Sequence, residues 1–325
     1  MSRLCIYYVR EPEQNRWVPG DRFVRPIIRR IIRGKPRPGG LDKVFINLRL
    51  GLDRLGLRYE VNLPFFKLRP DDRVAILGVG RHCLDGYAQA NPIVAGIGLM
   101  THPSEWPTLC TDFPVVRYLQ HSAWGDAVYR PYYGDRCTIW PVGIDTERWQ
   151  PSSIAKRTDF LIYDKIQWNR ARWESQLVAT VFETLARQGL SYEVLRYGSY
   201  QPNTYHEALQ RSRAMVFLSA HESQGIAAEE AMSAGVPIFA WDPGFLEDPD
   251  RFAWGQPVIP ATSVPYFDAR CGLTFCDASE FAARLPAFLD ALQAGRFAPR
   301  DYILENLTLE KCAKHLVRIV DEANA

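Results

Sequence analysis

Short apolar runs rich in β-branched and aromatic residues alternate along the chain with longer segments of helical period. Each short run has the length and composition of a buried strand. The runs predict strands at residues 4–9, 58–61, 74–78, 92–100, 115–119, 137–142, 160–163, 192–197, 214–219 and 236–241. Strands that alternate with helices in this way indicate an α/β fold built on parallel sheets.

Two segments show the helical period most clearly. Residues 41–56 carry leucine, valine and phenylalanine at spacings of three and four, which predicts a helix with one apolar face. Residues 308–325 carry apolar side chains at 309, 312, 313, 316, 317 and 320 and predict a final helix with one buried face.

Between the two sets of strands, the polar segment 143–159 with its prolines and serines predicts a linker. We therefore expect two Rossmann-like domains that face one another.

The chain length agrees with the division into two domains, and the charge and cysteine content limit the classes of function to be considered. A chain of 325 residues suits two domains of roughly 150 residues each. Its 39 basic and 37 acidic residues give a net charge of +2, so no global positive charge indicates nucleic-acid binding. The seven cysteines contain no C-x-x-C pair, which favours reduced thiols over a disulfide framework or a zinc site. No apolar run has the length of a signal peptide or a membrane span, so we expect a soluble cytoplasmic protein.

The loop after the strand at 214–219 concentrates acidic residues in an otherwise small and apolar segment, HESQGIAAEEAMSAGVP. A helix is predicted from Gly225, and the free N–H groups of Gln224 to Ile226 at its start form an anion site that could hold a phosphate. Glu222 precedes the turn, and Glu230 shares a side of the helix with its entry. Glu229 is rotated by about 100° and is expected to face elsewhere. The alternative is a loop carboxylate beside a solvated helix face.

This segment resembles the signature of the retaining glycosyltransferases of family 4, in which a Glu, seven residues and a second Glu are followed by Ala and then Gly-x-Pro. Here the matching residues are Glu222, Glu230, Ala231, Gly235 and Pro237. The resemblance implies the GT-B arrangement, with an N-terminal domain at 1–148, a C-terminal nucleotide-sugar-binding domain at 149–305, and a closing helix at 306–325 that returns to the N-terminal domain. It also implies sugar transfer from a nucleotide-diphosphate donor with retention of anomeric configuration, without a metal or cofactor.

Other segments extend the resemblance along the chain. Gly39 and Gly40 precede the first long helix and look like the donor-phosphate loop of the family, although a plain tight turn would use the same residues. His102, in GIGLMTHPSEW, occupies the position that meets the donor sugar in the family; the alternative is a structural histidine.

One segment departs from the family, which shows Gly-Arg and then Lys-Gly where this chain has FLIYDKIQWNRARW. Lys165 with Arg170 or Arg172 is expected to supply the charge that stabilises the leaving diphosphate, unless these side chains only cover the exposed start of a helix. The glutamate loop also departs from the family, with Ser-Gln-Gly in place of Gly-aromatic-Gly.

The resemblance implies a role for each candidate residue. Glu222 would hold the sugar hydroxyls, Glu230 the ribose diol, and His102 would meet the sugar from the other domain. The predicted catalytic residues are Glu222, His102 and Lys165, and the predicted donor-binding residues are Gly39, Gly40, Lys165, Arg170, Arg172, Gln224, Gly225, Ile226 and Glu230. Two other functions remain open: an isomerase of the nucleotide-sugar 2-epimerase kind, and a non-catalytic nucleotide-sugar-binding protein.

Residues 22–37 are rich in arginine and isoleucine and contain no acid. A short helix from about Pro26 would be apolar on one side and cationic on the other, and it could lie on the anionic inner surface of the membrane, where a lipid-linked acceptor would be found. The alternative is a loop that packs its isoleucines on the domain. Phe23 is the one aromatic residue among the basic ones, too few for the alternation of aromatic and basic residues that binds nucleic acid, so a nucleic-acid partner is not expected. The base, the sugar and the acceptor, a glycan or a lipid-linked molecule, stay open.

Overall fold

We describe the fold from a computed structural model, which describes residues 2–10, 15–22, 24–25, 28 and 39–325. The membrane-surface helix predicted from the arginine-rich segment 22–37 therefore lies largely outside the described residues. Within the described ranges, no helix has both the length and the apolar character needed to cross a bilayer.

The first half of the chain forms a six-stranded parallel sheet in the order β2-β1-β3-β4-β5-β6. Its strands are β1 (Leu4–Tyr7), β2 (Tyr59–Val61), β3 (Arg73–Ile76), β4 (Ile93–Gly96), β5 (Val115–Gln120) and β6 (Cys137–Ile139). Its described helices are α1 (Gly40–Arg54), α2 (Leu109–Asp112) and α3 (Ala123–Tyr133), with 3₁₀ turns at Phe65–Lys67, Arg81–Leu84, Pro103–Glu105 and Gly134–Arg136. We call the part of the chain that carries β1 to β6 the N-terminal half.

The second half forms a five-stranded parallel sheet in the order β11-β10-β9-β7-β8. Its strands are β7 (Thr158–Asp164), β8 (Tyr192–Arg196), β9 (Ser212–Leu218), β10 (Ile238–Trp241) and β11 (Gly272–Phe275). Its helices are α4 (Arg170–Trp173), a π-helical segment (Glu174–Val178), α5 (Ala179–Arg187), α6 (Pro202–Arg211), α7 (Ile226–Ser233) and α8 (Ala278–Gln293), with a 3₁₀ turn at Pro249–Phe252. We call this part the C-terminal half.

Both sheets are covered by apolar packing on their two faces, which explains why the strands appear in the sequence as nearly continuous apolar runs. In the first sheet, Val74 and Ile76 of β3 belong to one buried cluster, whereas Ala75 between them belongs to another. In the second sheet, Leu161 and Ile162 of β7 divide between two clusters in the same way.

Two closing helices, α9 (Pro299–Asn306) and α10 (Leu309–Ala323), end the chain, and α10 packs on α1 of the N-terminal half. Close contact at the start of α10 depends on glycines of that half. A Cβ added to Gly143 would lie 2.4 Å from Leu309 Cα, and one added to Gly51 would lie 2.5 Å from Leu309 O. The predicted α/β fold, with a final helix returning to the first domain, is confirmed; the exact domain limits at 148 and 305 stay predictions.

Every predicted strand overlaps an observed strand, but the one predicted at 92–100 is too long. The strand β4 ends at Gly96, because Gly96 and Ile97 have φ angles of +148° and +70° and leave the extended conformation. The residues that follow are therefore free to form a loop instead of extending the sheet.

Candidate functional site

A cavity of about 630 Å³ opens between the two halves of the molecule. In the N-terminal half its walls come from loops at the carboxyl ends of β3, β4 and β5 and from α3; in the C-terminal half they come from loops after β9 and β10. Its lining includes His102, Gln120, His121, Trp124, Tyr129, His221, Asp248 and Trp254. Ligands of open α/β sheets bind at this edge, so the cavity is the candidate site.

The glutamate loop leads from β9 into the start of α7 beside this cavity. Gly225 immediately precedes the helix with φ +91°, a left-handed conformation that favours glycine at this turn. Glu222, ahead of the turn, is buried and has a partner on each carboxylate oxygen. Lys165 Nζ lies 2.7 Å from Oε2, and Ser219 Oγ donates to Oε1 over 2.8 Å. The loop therefore holds Glu222 in a fixed orientation next to a cation.

Glu230 is held by a lysine from the other half of the molecule. Lys43, in the first turn of α1, places its Nζ 2.7 Å and 2.9 Å from the two carboxylate oxygens of Glu230. Burial raises the pKa of Glu230, and the charge of Lys43 opposes that rise. The two signature glutamates thus each pair with a lysine, one within the C-terminal half and one across the cleft.

Glu229 lies in a different environment from Glu230, as predicted from its rotation, but it is not solvated. It is 1% exposed, and its Oε2 accepts a 2.8 Å hydrogen bond from Gln224 Nε2. Burial raises the pKa of Glu229 well above its ordinary value, with only the Gln224 hydrogen bond acting against the rise. Because Glu230 is also only 3% exposed, the alternative of a solvated helix face is excluded.

The side chain of Gln224 joins the glutamate loop to the N-terminal half. Its Oε1 accepts from Val142 N over 2.9 Å, and its Nε2 donates to Val142 O over 2.8 Å. A second contact lies nearby, where Trp124 Nε1 of α3 donates to the Glu222 carbonyl over 2.8 Å. These bonds satisfy buried backbone groups and fix the glutamate loop against the opposite half.

His102 is fully buried in the wall of the cavity and precedes the 3₁₀ turn Pro103–Glu105. Its ring stacks on Trp254, with centroids 4.7 Å apart and planes at 10°, and Nδ1 lies 2.7 Å from Ser104 Oγ. Burial lowers the pKa of His102, while Glu105 and Gln256 act in the opposite direction. Because Trp254 belongs to the C-terminal half, this stack also crosses the cleft.

The two predicted arginines, Arg170 and Arg172, pair with residues other than Glu222 and Glu230. Arg170 lies 2.6 Å from Asp164 at the end of β7 and also pairs with Glu174. Arg172 lies over the Trp173 ring at 4.5 Å and bonds Gln176. Lys165 is therefore the member of this predicted set that the structure brings to Glu222.

Gly39 and Gly40 begin α1, the helix that carries Lys43. Asp42 occupies the helix start by accepting a 2.7 Å hydrogen bond from Gly39 N, and it is itself bound by Tyr8 and Arg10. The glycine turn thus positions a helix whose first turn faces Glu230.

Lys43, Trp124 and His221 were missed by the sequence interpretation. His221 stacks on Trp168, with centroids 5.0 Å apart, and accepts a hydrogen bond from Glu247 N on Nδ1. Burial, with smaller effects of Lys165 and Arg251, lowers the pKa of His221 to about 4. The sequence could have pointed to two of these residues, because both lie next to predicted site residues. His221 immediately precedes Glu222, and Lys43 lies in the first turn after Gly39 and Gly40.

The acidic pair Asp248 and Asp250 forms a turn, in which Asp248 accepts a hydrogen bond from Asp250 N over 3.0 Å at the start of a 3₁₀ turn. In the part of the chain that the structure describes, no group of three or more His, Cys, Asp or Glu side chains is placed to hold a metal ion.

The two facing parallel sheets and the returning helix define the GT-B arrangement, and solved structures with this fold include glycosyltransferases. The chain is similar to WaaB, a lipopolysaccharide outer core galactosyltransferase, in its apo form, with 12% identity and a TM-score of 0.55 over 98% of this chain and 99% of that one. It is also similar to a sucrose-phosphate synthase from Thermosynechococcus elongatus, with 12% identity and a TM-score of 0.50 over 87% and 93% of the two chains.

A third similar structure is the pneumococcal O-GlcNAc transferase GtfA in complex with UDP and GlcNAc, with 15% identity and a TM-score of 0.51. The match covers 79% of this chain but only 58% of that one. The sequence matches no protein-family model and no curated protein. At these identities the comparisons establish the fold.

Proposed function

We propose that this protein is a glycosyltransferase that moves a sugar from a nucleotide-diphosphate donor to an acceptor with retention of anomeric configuration. The observation that carries the proposal is the placement of Glu222 and Glu230, each paired with a lysine, where β9 leads into α7. Glu222 lies between His221 and Ser223, which line the cavity between the two halves, and Glu230 lies on the helix that follows this loop. Several proteins that share this fold are glycosyltransferases, which supports the class of reaction.

The donor is proposed to lie along the start of α7. Glu230 binds the ribose diol, and the diphosphate rests on the N–H groups of Gln224, Gly225 and Ile226, where the positive end of the helix dipole favours an anion. Glu222 then lies on the sugar side of the diphosphate and accepts hydrogen bonds from the sugar hydroxyls. Lys165, 2.7 Å from Glu222, is close enough to that junction to share its charge with the leaving phosphate.

The acceptor is proposed to enter the cavity from the N-terminal half. The wall there combines apolar and aromatic side chains, among them Met100, Trp124 and Tyr129, with the polar groups of Gln120 and His121. Such a mixture suits the apolar face and the hydroxyls of a sugar ring. A glycan, free or lipid-linked, is therefore the proposed acceptor class. The UDP and GlcNAc bound to GtfA are a nucleotide and a sugar of the kinds proposed here.

Catalysis is proposed to be mainly electrostatic. Departure of the diphosphate leaves oxocarbenium character on the sugar, and the helix N–H groups with Lys165 stabilise the leaving anion. Glu222 lies near the positive centre, and His102, whose pKa is lowered by burial, meets the sugar as a neutral ring. No protein side chain is assigned as general base, and the leaving phosphate accepts the acceptor proton. Closure of the cleft excludes water and suppresses donor hydrolysis.

Thermal-shift screening against UDP-, GDP-, ADP- and dTDP-sugars tests this proposal. A ligand present at 100 times its Kd stabilises the native state by about 2.7 kcal/mol, so one donor is expected to raise the midpoint clearly. Glu230→Ala should lose that shift, whereas the control Glu183→Ala, at an exposed position of α5, should keep it. A panel without any shift would contradict the proposal, and an epimerised sugar from donor alone would favour an isomerase.

The proposed reaction requires no metal ion or other cofactor. Turnover with the identified donor should therefore be unchanged after dialysis against EDTA. Loss of turnover that Mg²⁺ or Mn²⁺ restores would contradict this part of the proposal.

A further inference from the structure

Lys43 is the cation that crosses the cleft to a signature glutamate. It belongs to α1 of the N-terminal half, while Glu230 belongs to α7 of the C-terminal half, 187 residues later in the chain. Its ammonium lies within 2.9 Å of both carboxylate oxygens. The Lys43 side chain is 38% exposed and that of Glu230 only 4%, so the lysine reaches the glutamate from the solvent-exposed side.

This contact competes with the ribose that Glu230 is proposed to bind, so the inference rests on the proposed function. A vicinal diol donates one hydrogen bond to each oxygen of a carboxylate, and Lys43 now occupies both oxygens of Glu230. No ligand can approach the carboxylate of Glu230 from the side away from Lys43, because the residue is only 3% exposed. A bound ribose must therefore displace the ammonium from at least one oxygen.

The displaced ammonium has an anion within reach when the donor carries phosphate. Glu230 lies four residues after Ile226, which is about 6 Å along the helix axis, so the residue whose carboxylate holds Nζ is about one turn from the start of α7. Without a ligand, the positive helix end disfavours a cation there. With a diphosphate bound at that end, the same position offers Lys43 a charge-assisted hydrogen bond.

We propose that Lys43 is a donor-binding residue that moves from Glu230 to the donor diphosphate when the ribose binds. The exchange ties α1 of the N-terminal half to a ligand held by the C-terminal half, so donor binding itself draws the cleft closed. The exchange also makes the affinity for a ligand depend on whether that ligand carries a diphosphate. A nucleoside has to displace Lys43 and gives it no new partner, whereas a nucleoside diphosphate supplies one.

Calorimetric titration with a nucleoside and with its diphosphate tests the exchange in wild type, Lys43→Met, Lys43→Arg and Arg49→Met. Arg49 is a matched control, because it is a cation of the same helix that bonds Tyr59 instead of Glu230. Loss of one charge-assisted bond corresponds to roughly a 10-fold or greater loss of affinity, so Lys43→Met should weaken diphosphate binding by at least that factor. Nucleoside binding should stay equal or become tighter. Lys43→Arg should restore part of the diphosphate affinity.

The outcomes separate this inference from the proposed function. A wild-type protein that binds none of the UDP, GDP, ADP and dTDP series contradicts the proposed function and the exchange with it. A wild-type protein that binds a diphosphate, while Lys43→Met weakens nucleoside and diphosphate equally or neither of them, overturns only the exchange. Unfolding midpoints without ligand that lie well above the titration temperature in both Lys43→Met and Arg49→Met show that the comparison is made between folded proteins.

Discussion

Lys165 and Glu222 form an ion pair at the carboxyl edge of the second sheet, with 2.7 Å between Nζ and Oε2. Lys165 follows β7 directly, and its backbone N–H bonds Leu218 O at the end of β9, so the lysine is fixed to the same edge as the glutamate loop. The ammonium also lies 5.0 Å from the centre of the Tyr197 ring. Adjacent strands of a parallel sheet therefore bring a cation and a carboxylate together although 57 residues separate them.

Replacing Lys165 tests whether this cation stabilises the leaving group. Removal of one such stabilising group typically lowers kcat by about 100-fold or more, so we expect that loss in Lys165→Met and a smaller one in Lys165→Arg. Steady-state kinetics with the donor found by thermal shift measure the effect. Lys314→Met, at an exposed position of α10, serves as the control. Equal rates in the two methionine variants would rule out this role for Lys165.

Replacing Gln224 tests its contribution to stability. Gln224→Ala leaves the buried N–H and C=O of Val142 without their side-chain partner, and each unsatisfied group costs about 1–3 kcal/mol, so a loss of about 2–4 kcal/mol in unfolding free energy is expected. Urea denaturation measures it, with Gln176→Ala at an exposed position as the control. The prediction fails when both variants unfold at the wild-type urea concentration.

Glu229 should make stability depend on pH. Its folded pKa is raised well above the ordinary value of 4.5, so the folded state binds more protons than the unfolded state between those two values. The free energy of unfolding therefore falls as the pH rises through that window, with a contribution of up to about 1.4 kcal/mol per pH unit from one group.

Glu229→Gln mimics the protonated side chain and should reduce this slope without lowering donor affinity. Urea denaturation between pH 5 and pH 8 compares the variant with wild type. Glu230 retains its own raised pKa, so part of the slope should persist. Identical slopes in Glu229→Gln and wild type would show that Glu229 ionises normally.

His102 should titrate below the usual histidine range because burial lowers its pKa. Trp254 supplies part of that burial by stacking on the ring, so Trp254→Ala should move the pKa back upward. The measurement is the pH dependence of the ¹⁵N-histidine signals, with the His102 signal assigned by its absence in His102→Gln. An unchanged midpoint in Trp254→Ala would mean that the stack does not desolvate the ring.

Local periodicity predicted the fold because each strand and helix has its own apolar pattern. The strand runs and the 308–325 helix match observed elements, and the turn at Gly225 with Glu222 before it lies at the cleft. The helical period of residues 41–56 likewise predicted α1, but it did not show which side chain of the first turn would face the other half.

Contacts across the cleft could not be predicted in this way. Lys43 contacts Glu230, and Gln224 contacts Val142, only because the two halves pack together. Neither contact can be predicted from the spacing of residues within one helix or strand. The sequence interpretation likewise assigned Arg170 from its distance along the chain, whereas its acidic partners are Asp164, which ends the preceding strand, and Glu174. Charge partners depend on which side chains converge in space, and sequence spacing constrains that only within one element.

The central claim is tested most directly by transfer itself. Wild type, Glu222→Gln and the control Glu183→Gln are incubated with the identified donor and candidate glycan acceptors, and the product is followed by NMR for a new glycosidic bond and its anomeric configuration. Wild type and Glu183→Gln should form a product that keeps the configuration of the donor, and Glu222→Gln should form it at least about 100-fold more slowly. An inverted product, or wild-type turnover in Glu222→Gln, would contradict the proposed retaining transfer.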